Sequence, residues 1–482
     1  MENRLILIIT LFFSGFSFGQ ISFFKTYGEN GFDYGQGLVQ LDDSSYVITG
    51  ASSSFQDAPS RAFLLKVDSM GTYLWSRSYG GDKSDWGRRV FHKENIGFWI
   101  AGYSNSFSNY SDFDFYLIKT DESGEPEWER TYGSDDWERL WDAVLLQDEG
   151  LFMVGETDGL MSQEEDLYMV RTQANGDTLW TKYIRTAGRD IGYSAINFSD
   201  TTVLIGGISS SIADTKTGYL ALIHINSGEI LWEKFHGTDG TAAFRSLYEF
   251  NSDVYGVGEM TLDTENQRDH WMTKLDSNGD ILYENIDSRP EDDFLSNVAV
   301  RDMNSMFITA WIEEDIYPNG PDLLFAKYHT DMYWNGTSAF FSGENPDECH
   351  QMIISKDGGA VLVGFGMDPS WTNGGSAVTL IKVGPNEEIP SGITSDQTLV
   401  YLSENENSAT ITVFPNPVRS VLQIQVPENW ESANYQLIDP SGRSVKSGTI
   451  SSSLDVSDLE SGMYFLRIIQ EDKFVGVRIV KE

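Results

Sequence analysis

The stretch DSMGTYLW (68–75) decides the fold, because it comes back. DESGEPEW ends at Trp128, QANGDTLW at Trp180, INSGEILW at Trp232 and DSNGDILY at Tyr283, with a degenerate HTDMYW ending at Trp334. The steps from one aromatic to the next are 53, 52, 52, 51 and 51 residues. In the first five copies a glycine stands four residues before the aromatic: Gly71, Gly124, Gly176, Gly228 and Gly279. A period of this length is the mark of a repeat architecture, in which one unit cannot bury its apolar face alone.

Each unit carries four apolar segments of strand length. The third shows all of them: RLWDAVLLQ (139–147), GLFMVGET (150–157), DLYMVRT (166–172) and DTLWTKYI (177–184). The turns between them end in glycine, which supplies the positive φ that tight hairpins need. No segment sustains a 3.6-residue period, so helices are few. Four-stranded units repeated about an axis predict a β-propeller. First strands near 36, 88, 139, 191, 243, 295 and 350 make seven units, and the last lacks a fourth strand. SFFKTYG (22–28) matches WSRSYGG (75–81) and WERTYG (128–133), which close other units. The expected fold is therefore all-β, a seven-bladed propeller over 20–384 whose ring is closed by the N-terminal strand, leaving no open sheet edge. The tryptophan series reads as packing between blades.

The formal net charge of −40, from 33 basic and 73 acidic residues, repels phosphate backbones and excludes nucleic acid as a partner. It suits a secreted protein and can attract divalent cations. The single cysteine, Cys349, allows no internal disulfide and reads as a small buried residue. The chain begins MENRLILIITLFFSGFSFGQ, with Arg4 ahead of an apolar run and small residues at Ser17 and Gly19. This predicts a cleaved signal peptide over 1–19. The run is too short to span a bilayer, and no later segment is apolar enough to do so.

After Gly384 the repeat stops, and a polar, acidic linker is expected over 385–411. From Val413 the chain reads VFPNPVRSVLQIQV, YQLIDPSGRSVKSGTI, LDVSDLESGMYFLRI and FVGVRIVKE, the alternation and turns of a small Ig-like β-sandwich. Pro415-Asn416-Pro417 at the entrance, Gly442 in a turn, Gly462 and Tyr464 together, and Lys481 near the end occur in one order. On these residues the segment 412–482 resembles the type A C-terminal sorting domain of proteins exported by the type IX secretion system of Bacteroidetes. Phe414 stands where tyrosine is commoner in that family. The resemblance implies passage through the periplasm, recognition by the outer-membrane machinery and removal of the domain by a sorting protease. The repeats also resemble the propeller repeats of such secreted proteins, which concerns fold and does not fix function.

One recurrence could carry chemistry. Acids precede the first strands, often beside aromatics: Asp33, Asp85, Asp136 after Asp135, Asp190, Asp293 after Asp292, and Asp347, with Asp239 out of register. A ring of carboxylates could hold Ca²⁺; the competing expectation, which the repetition favours, is that each acid caps its own turn. A second recurrence sets Asp five residues before a cation, at Asp114/Lys119, Asp166/Arg171, Asp269/Lys274 and Asp322/Lys327. Its repetition points to structure, since catalytic sites break symmetry. The histidines are scattered without a metal spacing, and no catalytic motif is present. No catalytic residue and no required cofactor are therefore expected. The leading expectation is a secreted or cell-surface binding protein for a glycan or protein. The alternative is a polysaccharide hydrolase or lyase using non-repeating residues at the channel mouth: Arg88, Arg89, Trp141, Arg189 and Arg245. A purely structural surface protein is a third.

Overall fold

The computed structural model describes residues 22–28, 31–54, 59–108, 112–158, 165–184, 188–212, 215–237, 241–261, 267–287, 292–312, 322–341, 347–367, 375–390, 412–415, 417–426, 433–438, 444–459, 461–470 and 473–481. The expected signal peptide, most of the linker, and Asp239, Asn416 and Gly442 lie outside them. Among the described residues there is no helix, and so none long and apolar enough to cross a membrane.

Four-stranded antiparallel sheets fill the repeat region. Sheet one runs Asp33–Gln40, Tyr46–Ser52, Arg61–Val67 and Tyr73–Tyr79 in spatial order. Sheets two to six repeat this order, beginning at Asp85–Lys93, Glu138–Leu145, Ile191–Ser199, Ala242–Phe250 and Phe294–Asp302. Sheet seven takes three strands from the end of the region, Asp347–Ile354, Ala360–Gly366 and Ala377–Val383, and its fourth from the start, Phe23–Tyr27. Phe23 pairs with Lys382 and Tyr27 with Val378. The second and third strands are buried along nearly their whole length. Both of their faces meet a neighbouring sheet, which is why they read as unbroken apolar runs rather than alternating ones.

The core is divided among the seams between sheets. Leu38, Ile48 and Phe63 of sheet one pack with Val361, Val363 and Leu380 of sheet seven. Phe152 and Val154 of sheet three pack with Val203, Ile205 and Tyr219 of sheet four. Similar clusters join the other neighbours.

The repeated motif works at these seams. Gly71, Gly124, Gly176, Gly228 and Gly279 all have positive φ, between 62° and 83°. A side chain there would also collide with the preceding sheet: an added Cβ would fall 3.0 Å from the Trp75 ring at Gly124 and 2.6 Å from Trp128 at Gly176. The same glycines accept hydrogen bonds from the end of the previous fourth strand: Tyr27 to Gly71 O at 2.6 Å, Tyr79 to Gly124 O at 2.7 Å and Tyr132 to Gly176 O at 2.5 Å. The aromatic of one unit thus lies on the glycine of the next. The tyrosine of the TYG and SYG endings, the N-terminal one included, ties the seam.

The Asp and the cation of each recurrence stand toward opposite ends of one strand. Lys119 donates to the carbonyls of Ile96 and Thr120, Arg171 binds Asp148, Lys274 binds Asp253 at 3.0 Å, and Lys327 binds Glu387. In sheets three and five the cation holds the first hairpin turn, a repeated structural device.

The C-terminal region has two sheets. Thr412–Phe414, Val421–Gln425 and Ser453–Asp455 form one; Ser444–Thr449, Asn434–Ile438, Gly462–Gln470 and Lys473–Lys481 form the other. They share a core that includes Val418, Leu422, Leu437, Tyr464, Leu466 and Ile479. Tyr464 is part of that core, and Gly462 opens its strand on the exposed side. Lys481 pairs with Val418, just after Pro415 and Pro417, so the entrance and the end of the segment are stitched together.

Candidate functional site

All seven first strands carry a register shift at the same point of the repeat. The shifts fall between Gly35 and Gly37, Gly87 and Arg89, Leu140 and Asp142, Gly192 and Ser194, Phe244 and Ser246, Leu295 and Asn297, and Cys349 and Gln351. A β-bulge leaves one extra residue unpaired and re-aims it. The extra residues are Gln36, Arg88, Trp141, Tyr193, Arg245, Ser296 and His350, and six different amino acids occupy these seven equivalent places. Fold symmetry places them; the sequence leaves them chemically unlike.

The bulged strands converge on a cavity of about 650 Å³, and six of these seven residues line it: Arg88, Trp141, Tyr193, Arg245, Ser296 and His350. The size falls within the ordinary range for small-ligand sites. Its wall is built from stacked rings and cations. Trp141 meets Tyr193 edge-on at 5.2 Å. The Arg88 guanidinium lies over Trp141 at 4.8 Å, and that of Arg245 over Tyr193 at 4.2 Å. Phe294 stacks on Trp311 at 5.3 Å.

Side chains directly after several of the bulges fix the wall. Asp142 accepts from Arg89 Nε at 2.6 Å and, with its other oxygen, from the Ala195 backbone N–H at 2.8 Å. Ser194 accepts from Leu247 N–H at 3.1 Å, and Gln351 from Leu38 N–H at 2.6 Å. The bulge frees these N–H groups from their own ladder, and the neighbouring strand satisfies them, as buried donors require.

Charge in the cavity is unevenly neutralised. Arg245 makes a bidentate pair with Glu259, at 2.9 and 3.2 Å, and Arg89 is held by Asp142. Arg88 has the Gln36 side-chain oxygen as its hydrogen-bond acceptor, and its Nε has no partner. Burial pushes its guanidinium down to about 10. Burial also raises the Glu348 carboxyl, against the opposing pull of Trp311 and Arg88. Burial, with Arg88 and Arg89 beside it, lowers the His350 imidazole to about 3, so it stays neutral. Cys349 lines the same wall, its thiol pushed up to about 12 by burial, which leaves it protonated and unreactive.

Of the five residues proposed from sequence for a channel site, the structure brings four to this cavity: Arg88, Arg89, Trp141 and Arg245. Arg189 is not among its lining residues; it binds Glu165 at 3.2 Å. Sequence reasoning missed Tyr193, Phe294 and His350.

The acids before the first strands occupy a different level. Asp33, Asp85, Asp190, Asp293 and Asp347 are all buried. Ser52 donates to Asp33, Ser104 to Asp85, and Ser209 to Asp190 at 2.6 Å, each from the adjacent strand in the same sheet. Their backbone N–H groups reach across the seam, Asp33 to Ser376 O and Asp85 to Ser60 O, both at 3.1 Å. In sheet three this place belongs to Glu138, which binds Thr157 at 3.0 Å; Asp136 lies two residues earlier, in the turn. The repeat spacing explains the difference, because Glu138 stands 53 residues after Asp85 and 52 before Asp190. Among the described residues no three His, Cys, Asp or Glu side chains are grouped as metal ligands.

Comparison with known proteins identifies one segment. Residues 412–482 match the family of the secretion system C-terminal sorting domain. No curated protein matches the chain. Among solved structures it is similar to PorZ, an essential surface component of the type-IX secretion system of Porphyromonas gingivalis, at 10% identity and a TM-score of 0.42. That match covers 95% of this chain and 60% of PorZ, so the chain spans less than two thirds of its length. Sqt1 from Chaetomium thermophilum is matched at 10% identity and a TM-score of 0.42, over 75% of this chain and 97% of Sqt1. Residues 412–482 are therefore a type IX secretion C-terminal sorting domain, and the protein that carries it is exported to the cell surface or the extracellular space.

Proposed function

We propose that this is an exported binding module: a closed seven-bladed propeller that takes a glycan into the cavity where its first strands meet. Closure is supported by the seam between sheets seven and one, which carries the same three links as the seam between sheets one and two: a shared core, Tyr27 on Gly71, and Asp33 N–H on Ser376 O. The sorting domain delivers the propeller to the export machinery, and a sorting protease then removes it.

The observation that carries the reading is the ring of unlike bulged residues. Aromatic faces beside hydrogen-bonding side chains suit sugar rings, whose C–H faces stack and whose hydroxyls need partners. The test is a glycan array probed with the full chain, followed by calorimetry on each positive. Trp141→Ala should lose binding while keeping the wild-type melting temperature. Saturable binding that survives Trp141→Ala and Tyr193→Ala would place the site elsewhere; no saccharide binding at all would remove the reading.

A second reading, hydrolase or lyase, is favoured by one observation: Glu348 lies in the same cavity with a carboxyl raised by burial, as a general acid requires. New reducing ends, or unsaturated products absorbing in the ultraviolet, would decide for it if Glu348→Gln abolished them.

A further inference from the structure

Resting on the glycan reading, we infer that the cavity selects an acidic saccharide and that Arg88 receives its oxyanion, a carboxylate or a sulfate ester. The three arginines that line the cavity are not equivalent. Arg89 and Arg245 are occupied by Asp142 and Glu259. Arg88 alone among these three, considering the described residues, has no carboxylate at ion-pair distance. One face of its guanidinium rests on Trp141, and one terminal nitrogen is held by Gln36. Both contacts fix its plane without consuming its charge. The terminal donors that Gln36 does not take suit a planar oxyanion, which a guanidinium can bind through two parallel bonds.

The cost of leaving such a cation bare is physical. Burial disfavours its charged form, as the lowered guanidinium value records. An unpaired cation inside a protein of net charge −40 is not a by-product of composition, because acids outnumber bases by more than two to one. Glu348 and Asp142 stand on the same wall, yet neither closes on Arg88. The arrangement fits a site completed by the ligand. The acidic exterior repels long polyanions, so the seat suits a short acidic segment that enters the cavity.

The test uses calorimetry on the full chain with three probes: tetragalacturonate, its methyl ester as the neutral control, and a sulfated galactan tetramer. Wild type should bind one of the two acidic probes about ten- to a hundredfold tighter than the neutral one, the range expected of a charge-assisted pair. The acidic probe that is preferred identifies the oxyanion. Arg88→Gln should erase the preference, leaving the acidic and neutral probes equal in affinity whatever it does to the binding common to both; Arg88→Lys, which keeps the charge and loses the planar guanidinium, should retain only part of the preference. Equal affinity for all three probes in wild type overturns the assignment to Arg88 and leaves the glycan reading standing. Binding of none of them, with the array also blank, overturns both.

Discussion

Gln351, near the end of the repeat region, accepts a hydrogen bond from the backbone N–H of Leu38, near its start, at 2.6 Å and across 313 residues of sequence. The bulge at Gln36 frees that N–H, and the side chain of the last first strand takes it up. Sheets three and four use Asp142 and Ser194 in the same way. Removing the acceptor leaves a donor without a partner, which costs about 1–3 kcal/mol when it is buried. Gln351→Ala should therefore lower stability by about that much in urea denaturation. It should also sensitise the chain to proteolysis near the first strand. An unchanged midpoint would mean that water replaces Gln351 and that the bond does not tie the ends together.

Asp114 and Glu138 meet across the seam between sheets two and three. Gly133 sits against both: an added Cβ would fall 1.9 Å from Asp114 Oδ1 and 2.5 Å from Glu138 Oε2. Burial first, and the Glu138 charge second, push Asp114 up to about 7. A carboxyl whose folded value exceeds its unfolded one contributes stability that is present below about pH 4 and lost as the pH rises through about 7. Asp85 and Glu138, both raised by burial, act in the same direction. Asp114→Asn should accordingly raise the melting temperature at pH 8 and leave it nearly unchanged at pH 4, a gain on the order of 1–3 kcal/mol at the higher pH. A uniform shift at both pH values would show that the two carboxyls do not repel each other.

How much of this could be read from the sequence depended on whether repetition displayed it. Gly71 and its four counterparts are glycine where φ is positive and a side chain of the preceding sheet lies close, so the period exposed them; in the sixth unit Met332 takes the same place with a φ of 65°. Tyr27 could be matched to Tyr79 and Tyr132 for the same reason. The bulged residues could not be aligned in this way. A bulge is a slip between two strands, and one strand's sequence shows it only where glycine marks the place, as at Gly35, Gly87 and Gly192. Arg88 and Trp141 stood out as non-repeating, but nothing local told Arg189, which is spent on Glu165, from Arg245, which faces the cavity. Asp136 matches the residue type of the other units and Glu138 matches their spacing; the backbone register, not the residue type, decides which acid reaches the adjacent strand.

The buried acids bear on calcium. Ser52 and Ser54 donate to the two oxygens of Asp33, and Ser104 and Ser106 to those of Asp85. A cation would have to displace these hydroxyls. Melting the chain in excess EDTA and again in millimolar Ca²⁺ should give the same temperature. A site filled at a hundred times its dissociation constant would add about 2.7 kcal/mol, a rise visible by calorimetry. Such a rise would move the acids from turn-holding to metal binding.

Glu387 extends the folded unit past the last repeat strand. It accepts hydrogen bonds from Lys327 and from Thr337 at 2.8 Å, and it pairs with Arg301 at 3.3 Å. Arg301 also donates to Pro385 O at 3.2 Å, and Ile389 packs on the cluster that holds Phe24 and Phe341. Residues 385–389, expected from composition to be linker, thus strap sheet six to the N-terminal strand of sheet seven. Burial works to raise the Glu387 carboxyl, but the bonds from Lys327 and Thr337 and the charges of Lys327 and Arg301 outweigh it and hold the group below its ordinary 4.5. A lowered carboxyl contributes stability above its unfolded value and loses it as the pH falls. Glu387→Ala should cost about 2 kcal/mol at pH 7, as charge-assisted bonds do, and the difference from wild type should shrink toward zero near pH 3. By the same logic a chain ending at 384 should melt below one ending at 390. Cleavage of the sorting domain beyond 390 should leave the melting temperature of the repeat region where it was. If the two truncated chains melted together, the strap would be a contact without energetic weight, and the folded unit would end at the last strand.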